Sequence, residues 1–572
     1  MNFADRDPAL RPMLDRVLST EDRDRVEPLL AEMGEVAAGE LDRLARTADR
    51  NPPVLTQFSP EGERIDEIEY HPAYRRMGQI AFGRFGLAAM SHRSGVNGWP
   101  TITPHVVKYA LSYLFVQSEF GLACPLSMTD SAARVLRLFD RDRYAGEIAS
   151  LSATDPDERA TGAMFMTEID GGTDIGRTAT EARKAGEGWT LRGRKWFASN
   201  VDADIILTLA KVPGQGTGTR GLGMFLLPRL RPDGSRNAIR IDRLKDKLGT
   251  RSIASGEVTL EDAYALPVGD LTRGVPQMLE MVNVSRLSNA MRSAALMRRA
   301  VRESVDHTRG RIVFGKPLFE QPLMRATLLP LLLDAEAALA LVLESAAQLD
   351  RADHGDTGAH ALVRVLTPLA KYTICKRARH VTAEAMEIRG GNGYIEDWVN
   401  ARLLRDAHLG SIWEGSSNVI ALDVLRCMRK EEAHRHLAEA YGQRASSLCG
   451  KETREAAEQI ATWWKETLET GDRLLQAPGE QQEAGIGRYA GRLAHLLMAT
   501  LLLEQADHQI RQGAGHRALL VAHTYLRRLE DPEDPCSPAL AHLEALADGG
   551  PVPADAAMAA LTEQATRGLA RA

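Results

Sequence analysis

A change of texture between residues 161 and 275 restricts this chain more than any other feature. The runs WTLRGRKWF, DIILTLAKV, LGMFLLP, AIRIDRL and GEVTLEDAYAL are short, rich in β-branched and aromatic residues, and punctuated by Gly, Pro, Asp or Asn. Strands separated by turns have that composition. PGQGTGTRG (213–221) reads as a loose loop between two of them. On both sides the apolar spacing is helical, as in YALSYLFVQSEFG before the β region and MLEMVNVSRLSNAMRSAALMRRAVRESVDHTRG after it. Helices, then strands, then helices is not an alternating βαβ order, so a doubly wound sheet is disfavoured. With 572 residues the chain exceeds what one core supports. The expectation is an α+β protein with an N-terminal helical domain (1–160), a middle β-domain (161–275), a helical bundle (276–430) and an extra C-terminal helical domain (431–572).

Smaller signals refine this. NPPVLTQFSPEGERIDEIEYHP (51–72) is turn-rich and reads as a surface wrap. Gly310, ending the long helical run, suits a helix C-cap. LLPLLLDAEAALALVLESAA (328–347) contains Asp334, Glu336 and Glu344, so a buried helix explains it better than a membrane span. The net charge of −6 gives no overall attraction to nucleic acid or an anionic membrane. Five scattered cysteines, Cys124, Cys375, Cys427, Cys449 and Cys536, form no CxxC pair. Zinc and a disulfide framework are therefore not expected, and a reducing cytoplasm is. The charged N-terminal stretch MNFADRDPALRPMLDRVL is not expected to be a signal peptide.

Three segments carry candidate chemistry. FMTEIDGGTDIG (165–176) joins a Thr-Glu pair to two glycines and a Thr-Asp pair. Small residues there let backbone N–H groups approach an anionic or planar ligand, and a plain turn is the other reading. RGGNGY (389–394) is either a helix C-cap with a turn or another such approach. In SIWEGSSN (411–418) the carboxylate of Glu414 lies beside the indole of Trp413. By itself it reads better as a surface-turn acid than as a base made stronger by desolvation.

Taken together, MTEIDGGTD, RGRKWFASN, RGRIVFGKPL, MEIRGGNGY and LRDAHLGSIWEGSSN resemble the acyl-CoA dehydrogenase family in order and spacing. NPPVLTQFSPEGERIDEIEYHPAY, RLRPDGSRNAIRIDRLKDKLGTRS and the C-terminal helical block resemble its AidB-like branch. The resemblance implies FAD held between the β-domain, the helical bundle and a neighbouring subunit. It implies that Met166, Thr167 and Thr173 approach the flavin and its pyrophosphate, and that Phe197 and Ser199 flank the isoalloxazine. Gly390 and Gly391 would pass its phosphates or adenosine, and Ser416 and Asn418 would hold it beyond the base. Arg311 and Phe314 would reach the FAD of the next subunit, which implies a homotetramer.

The resemblance further implies that Glu414 is the catalytic base of an acyl-thioester dehydrogenation on CoA or a carrier protein. Trp413 would exclude water, Arg286 would lie near the substrate entrance, and an electron-acceptor flavoprotein would reoxidise the enzyme. For Arg286 an exposed helix position is the other reading. Three departures from the family pattern are Glu387 before the Gly-Gly pair, Pro322 in place of a glutamine, and Asn283 in place of an aspartate. The AidB-like branch also implies association with DNA as an alternative, protective role. Residues 433–572 carry 14 Lys and Arg against 19 Asp and Glu, which disfavours it.

Overall fold

The computed structural model describes residues 2–186, 188–530 and 538–568, with the backbone only at 538 and 562–568. The turn-rich break at 531–537 and Cys536 lie outside the described residues. The chain divides into two compact units, one formed by Ala38–Pro104 and Ser118–Ser288, the other by Met1–Ala37, His105–Gln117 and Asn289–Ala572.

The first unit holds the strands β1 (Val54–Phe58), β2 (Arg64–Glu69), β3 (Gly162–Phe165), β4 (Glu181–Ala185), β5 (Gly188–Ser199), β6 (Ile205–Lys211), β7 (Leu222–Pro228), β8 (Ile239–Leu244) and β9 (Ser255–Pro267). β4, β5, β9, β7 and β6 pair in that order and β6 pairs β4 again, so the sheet closes into a ring. β3 adds to β6 in parallel and β8 to β9 in antiparallel. The inward side chains fill the ring with Phe165, Leu191, Ile206, Phe225, Leu227, Val258 and Leu260. All five strands expected from sequence form, because each run alternates or is apolar throughout and ends at a turn residue. The 213–221 loop joins β6 to β7.

The surface wrap expected over 51–72 is instead the β1–β2 hairpin. Gly62 turns it at φ +86°. Gln57 and Arg64 donate to the backbone carbonyls of Ile241 and Asp242, and Asp66 accepts from the Ile241 amide, so the hairpin is tied to β8. The charged residues of RIDEIE hide a period-2 pattern in which Ile68 is buried against the sheet core.

The second unit is helical. Its main helices are Leu10–Val17, Thr20–Val36, His105–Val116, the part of Gly274–Gly310 from Asn289 on, Pro322–Asp353, Thr357–Ile388, Val399–Gly410 and Ser417–Glu431. The C-terminal block adds Ala433–Ser446, Arg454–Gln476, Gly479–Arg511 and Arg517–Glu530. Pro322–Asp353 is long and apolar enough to cross a membrane, yet its apolar window is 83% buried inside the protein. The three acids of its apolar stretch are matched by arginines: Asp334 with Arg377 and Arg528, Glu336 with Arg517, Glu344 with Arg444. Burial alone would raise Glu344, but the charge and hydrogen bonds of Arg444 overcome this and pull it down to about 2.

Gly310 does not take a positive φ, so it is no left-handed cap. The reversal comes later, in the hairpin pairing Ile312–Val313 with Lys316–Pro317. Its turn residues Phe314 (φ +51°) and Gly315 (φ +81°) are both left-handed, as a two-residue turn of that twist requires.

Candidate functional site

The predicted residues fall on both units. In the β unit, β5 carries one extra residue against β9 between Lys195 and Ala198. This bulge breaks the alternation at Trp196 and Phe197, leaving Phe197 54% exposed while Lys195 points inward and is fully buried. The Trp196 amide donates to the Thr167 carbonyl at 2.8 Å, so Met166 and Thr167, just past β3, lie beside the bulge. Ser199, two residues on, shares a hydroxyl hydrogen bond of 3.0 Å with Ser255. The structure thus brings Met166, Thr167, Phe197 and Ser199 to one edge of the sheet. Thr173 is exposed on the following loop.

That loop is held by Glu168. Its carboxylate accepts from the Ala179 and Thr180 amides, the Thr180 hydroxyl (2.6 Å) and Lys195 Nζ (2.7 Å). Burial works against its charge, and Lys195 with the other donors still holds it below the usual carboxylate range. Lys195 was not foreseen as a functional residue, although a lysine at an inward strand position signals a buried partner. Lys245 lies over the Trp196 ring at 3.6 Å and the Phe197 ring at 4.7 Å, and pairs with Glu257 at 2.8 Å. Arg286 is buried, not exposed, and faces Asn283 Oδ1 at 3.4 Å.

In the helical unit, the turn between Val399–Gly410 and Ser417–Glu431 carries Trp413 and Glu414. Glu414 is half-buried and has φ +57°, a conformation that costs a non-glycine residue on the order of 1 kcal/mol or more. Gly415 follows at φ +99°, where a Cβ would meet Ile420 and Val419 at 3.2 and 3.3 Å. Three side chains from other helices fix this turn. Asn289 is fully buried; its Oδ1 accepts from the Trp413 indole at 2.8 Å and its Nδ2 donates to the Gly410 carbonyl at 3.2 Å. The buried Lys371 donates to the Gly415 carbonyl. The Arg292 guanidinium lies over the Trp413 ring at 4.8 Å. Trp413 is thus packed into its own unit by Asn289 and Arg292. None of these three was foreseen, since each meets the turn only through tertiary packing.

The remaining residues suit a large anionic, planar ligand such as FAD. Ser416 is the N-cap of Ser417–Glu431, yet its side chain makes no capping hydrogen bond, and Asn418 is exposed beside it. The first N–H groups of that helix are therefore left for another acceptor. Gly390 has φ +67° and ψ −148°, a region that glycine alone occupies readily, and a Cβ on Gly390 or Gly391 would project into open space. Phe314 is 95% exposed at its hairpin tip, and Arg311 at the base of that hairpin is also exposed.

Comparisons with known proteins identify the family. Residues 1–157 match the adaptive response protein AidB N-terminal domain, 163–263 the acyl-CoA dehydrogenase middle domain, and 272–429 the acyl-CoA dehydrogenase C-terminal domain. Acyl-CoA dehydrogenase family member 11 of Caenorhabditis elegans is 32% identical over 542 residues, covering 91% of this chain and 86% of the relative. The chain belongs to the acyl-CoA dehydrogenase family. Within it the chain is AidB-like: the putative acyl-CoA dehydrogenase AidB of Escherichia coli (strain K12) is 37% identical over 422 residues, covering 70% of this chain and 74% of the relative. The crystal structure of C. elegans ACDH-11 in complex with C11-CoA superposes with a TM-score of 0.84 at 28% identity, covering 91% of this chain and 90% of that one. As a member of the acyl-CoA dehydrogenase family, the protein is an FAD-dependent oxidoreductase.

Proposed function

We propose that the protein is an acyl-thioester α,β-dehydrogenase in which Glu414 takes the α-proton. The observation that carries this reading is the build of the 410–416 turn. A carboxylate is held in a left-handed backbone conformation by Gly415, Asn289 and Lys371, none of which a surface-turn acid needs. Strain kept at one residue by its surroundings is a mark of a functional position.

The roles of the residues follow from their placement. FAD, when bound, supplies the acceptor for the hydride that leaves the β-carbon. Phe197, Ser199, Met166 and Thr167 would hold the flavin ring system at the sheet edge, with Thr173 toward the pyrophosphate. Gly390, Gly391, Ser416 and Asn418 would receive phosphate oxygens on backbone N–H groups and polar side chains. Glu414 accepts the α-proton on its carboxylate, and Trp413, packed by Asn289 and Arg292, limits water on one side of it. The thioester is an acyl-CoA by analogy with the C11-CoA bound to ACDH-11 of C. elegans; an acyl carrier protein is the alternative carrier. An electron-transfer flavoprotein would reoxidise the reduced enzyme. Phe314, Ile312 (60% exposed) and Leu323 (84% exposed) form apolar surface that a second copy would cover, with Arg311 and Phe314 reaching that copy's cofactor in a homotetramer.

The Glu414→Gln variant should keep bound, yellow FAD but lose anaerobic flavin bleaching by acyl-CoA by about 100-fold or more, the usual scale for removing a general base. Unchanged turnover would remove Glu414 from the mechanism. A DNA-binding role draws no support from the C-terminal arginines. Arg435, Arg444, Arg492, Arg511, Arg517 and Arg528 all sit in ion pairs with carboxylates of the same unit.

A further inference from the structure

A small cavity of about 140 Å³ lies in the helical unit, apart from the residues assigned above. It is lined by Asp5, Arg6, Arg298, Arg302, Ala547, Asp548 and three aliphatic side chains. Its charges can be matched one by one. Asp5 is paired with Arg11, and Asp548 with Arg309, both outside the cavity wall. Arg6 is paired with Asp306 at 2.8 Å, and Arg298 with Asp7 at 3.3 Å. Arg302 has no carboxylate partner among the described residues. Its guanidinium stacks on Phe3 at 3.4 Å and donates through Nη1 to Gln117 Oε1 at 2.8 Å.

The hydrogen-bond balance leans the same way. Nη2 of Arg302 and Nη2 of Arg298, on two of the lining residues, are buried and have no acceptor among the described residues. Both are donors. A buried guanidinium nitrogen cannot shed its proton to avoid the loss, so it calls for an acceptor. Arg302 and Arg298 are themselves 5% and 2% exposed. Burial and the nearby charges of Arg299 and Arg6 push Arg302 down to about 9, as expected for a cation without its counter-charge. A water molecule would supply an acceptor but leave the charge uncompensated. An acceptor-only ligand carrying negative charge answers both needs, and the volume is several times that of one water.

We propose that this cavity is a binding site for a small tetrahedral oxyanion, phosphate or sulfate, held by Arg302 and Arg298. The site ties the first residues of the chain (Asp5, Arg6) to the Gly274–Gly310 helix and to the Leu543–Asp548 helix, so its occupation should stabilise the helical unit.

The test uses the full-length, FAD-loaded protein, so that sites for cofactor phosphate are already filled. Thermal unfolding is followed while phosphate, sulfate or acetate replaces chloride at constant ionic strength, and equilibrium dialysis with labelled phosphate counts the anion bound. Expected are a saturable rise in Tm with phosphate or sulfate but not acetate, and one phosphate per chain; the better of the two anions names the natural class. Arg302→Met, which keeps the packing on Phe3, should abolish both responses. Ala547→Leu, which fills the cavity without changing charge, should do the same if Arg302→Met does not fold. A wild-type Tm that moves no more with phosphate and sulfate than with chloride, or an undiminished response in both variants, overturns the proposal.

Discussion

Asn289 offers the sharpest test of how the Glu414 turn is held. Its side chain makes two hydrogen bonds to that turn, accepting from the Trp413 indole at 2.8 Å and donating to the Gly410 carbonyl at 3.2 Å. Asn289→Leu fills similar volume and removes both. Each neutral bond contributes about 1 kcal/mol net, and a buried orphaned partner adds about 1–3 kcal/mol. The half-buried Trp413 can turn its N–H toward water, so the lower end applies to it, giving a total of about 2–3 kcal/mol. Part of that loss should appear as a looser turn, because Glu414 holds φ +57° only while its surroundings enforce it. A displacement of about 1 Å of any group that takes part in the chemistry can lower turnover on the order of 100-fold, and the proposed role of Glu414 makes it such a group. The assay is anaerobic flavin reduction by an acyl-CoA in single-turnover mode, with KM and kcat separated, beside thermal unfolding. Asn289→Leu should lower kcat with little change in KM. Asn289→Asp, which keeps the acceptor for Trp413 but loses the donor to Gly410, should fall between. If Asn289→Leu lowers Tm but leaves the reduction rate untouched, the turn does not depend on this clamp and the argument fails.

Other outcomes follow from the same geometry. Gly415→Ala forces a side chain to φ +99° with contacts of 3.2–3.3 Å, so it should cost about 1–3 kcal/mol and depress flavin reduction as well; unfolding curves and the reduction rate check both. Gly390→Ala should weaken FAD retention, read as a lower flavin-to-protein absorbance ratio after gel filtration, because its φ and ψ admit only glycine readily. Glu344 has its pKa lowered from about 4.5 to about 2 by Arg444, so its contribution is fully present above about pH 4.5 and is lost as pH falls toward 2. That contribution is on the order of 3 kcal/mol. In a Tm-against-pH series, Glu344→Gln should therefore be less stable than the wild type at pH 7 and converge on it near pH 2–3. Phe314→Ser should shift the protein to smaller species by light scattering, because it removes an apolar side chain that is 95% exposed.

Much of this architecture can be read from residue order. The β6 and β7 runs are apolar nearly throughout, the β5, β8 and β9 runs are rich in β-branched and aromatic residues, and turn residues separate them. Gly390 and Gly415 stand out because a positive φ restricts residue type locally, whereas nothing in a glutamate announces the left-handed backbone of Glu414. The hairpin over 54–69 escaped notice because β1 turns apolar Val54 and Phe58 outward, while β2 carries Arg64, Glu67 and Glu69 outward and buries Asp66, so neither strand shows a plain period of two. The clamp on the Glu414 turn was also hidden. Asn289 lies 124 residues from Trp413, and Lys371 lies 44 from Gly415. No local pattern marks a helix interior residue as the partner of a distant turn. The bulge that exposes Phe197 was likewise invisible, since it depends on register against β9 rather than on the composition of β5.

The way residues 1–37 share a unit with 289–568 bears on how the protein is made. On the ribosome these first residues emerge early, with Phe3, Leu10 and Met13 buried only in the finished structure. Residues 38–104 and 118–288 complete their own unit while residues 1–37 have met only the 105–117 helix of theirs. Residues 1–37 therefore keep apolar side chains uncovered until the helices beyond 289 are made. Slowed translation or chaperone shortage should harm the packing of residues 1–37 before it harms the closed sheet.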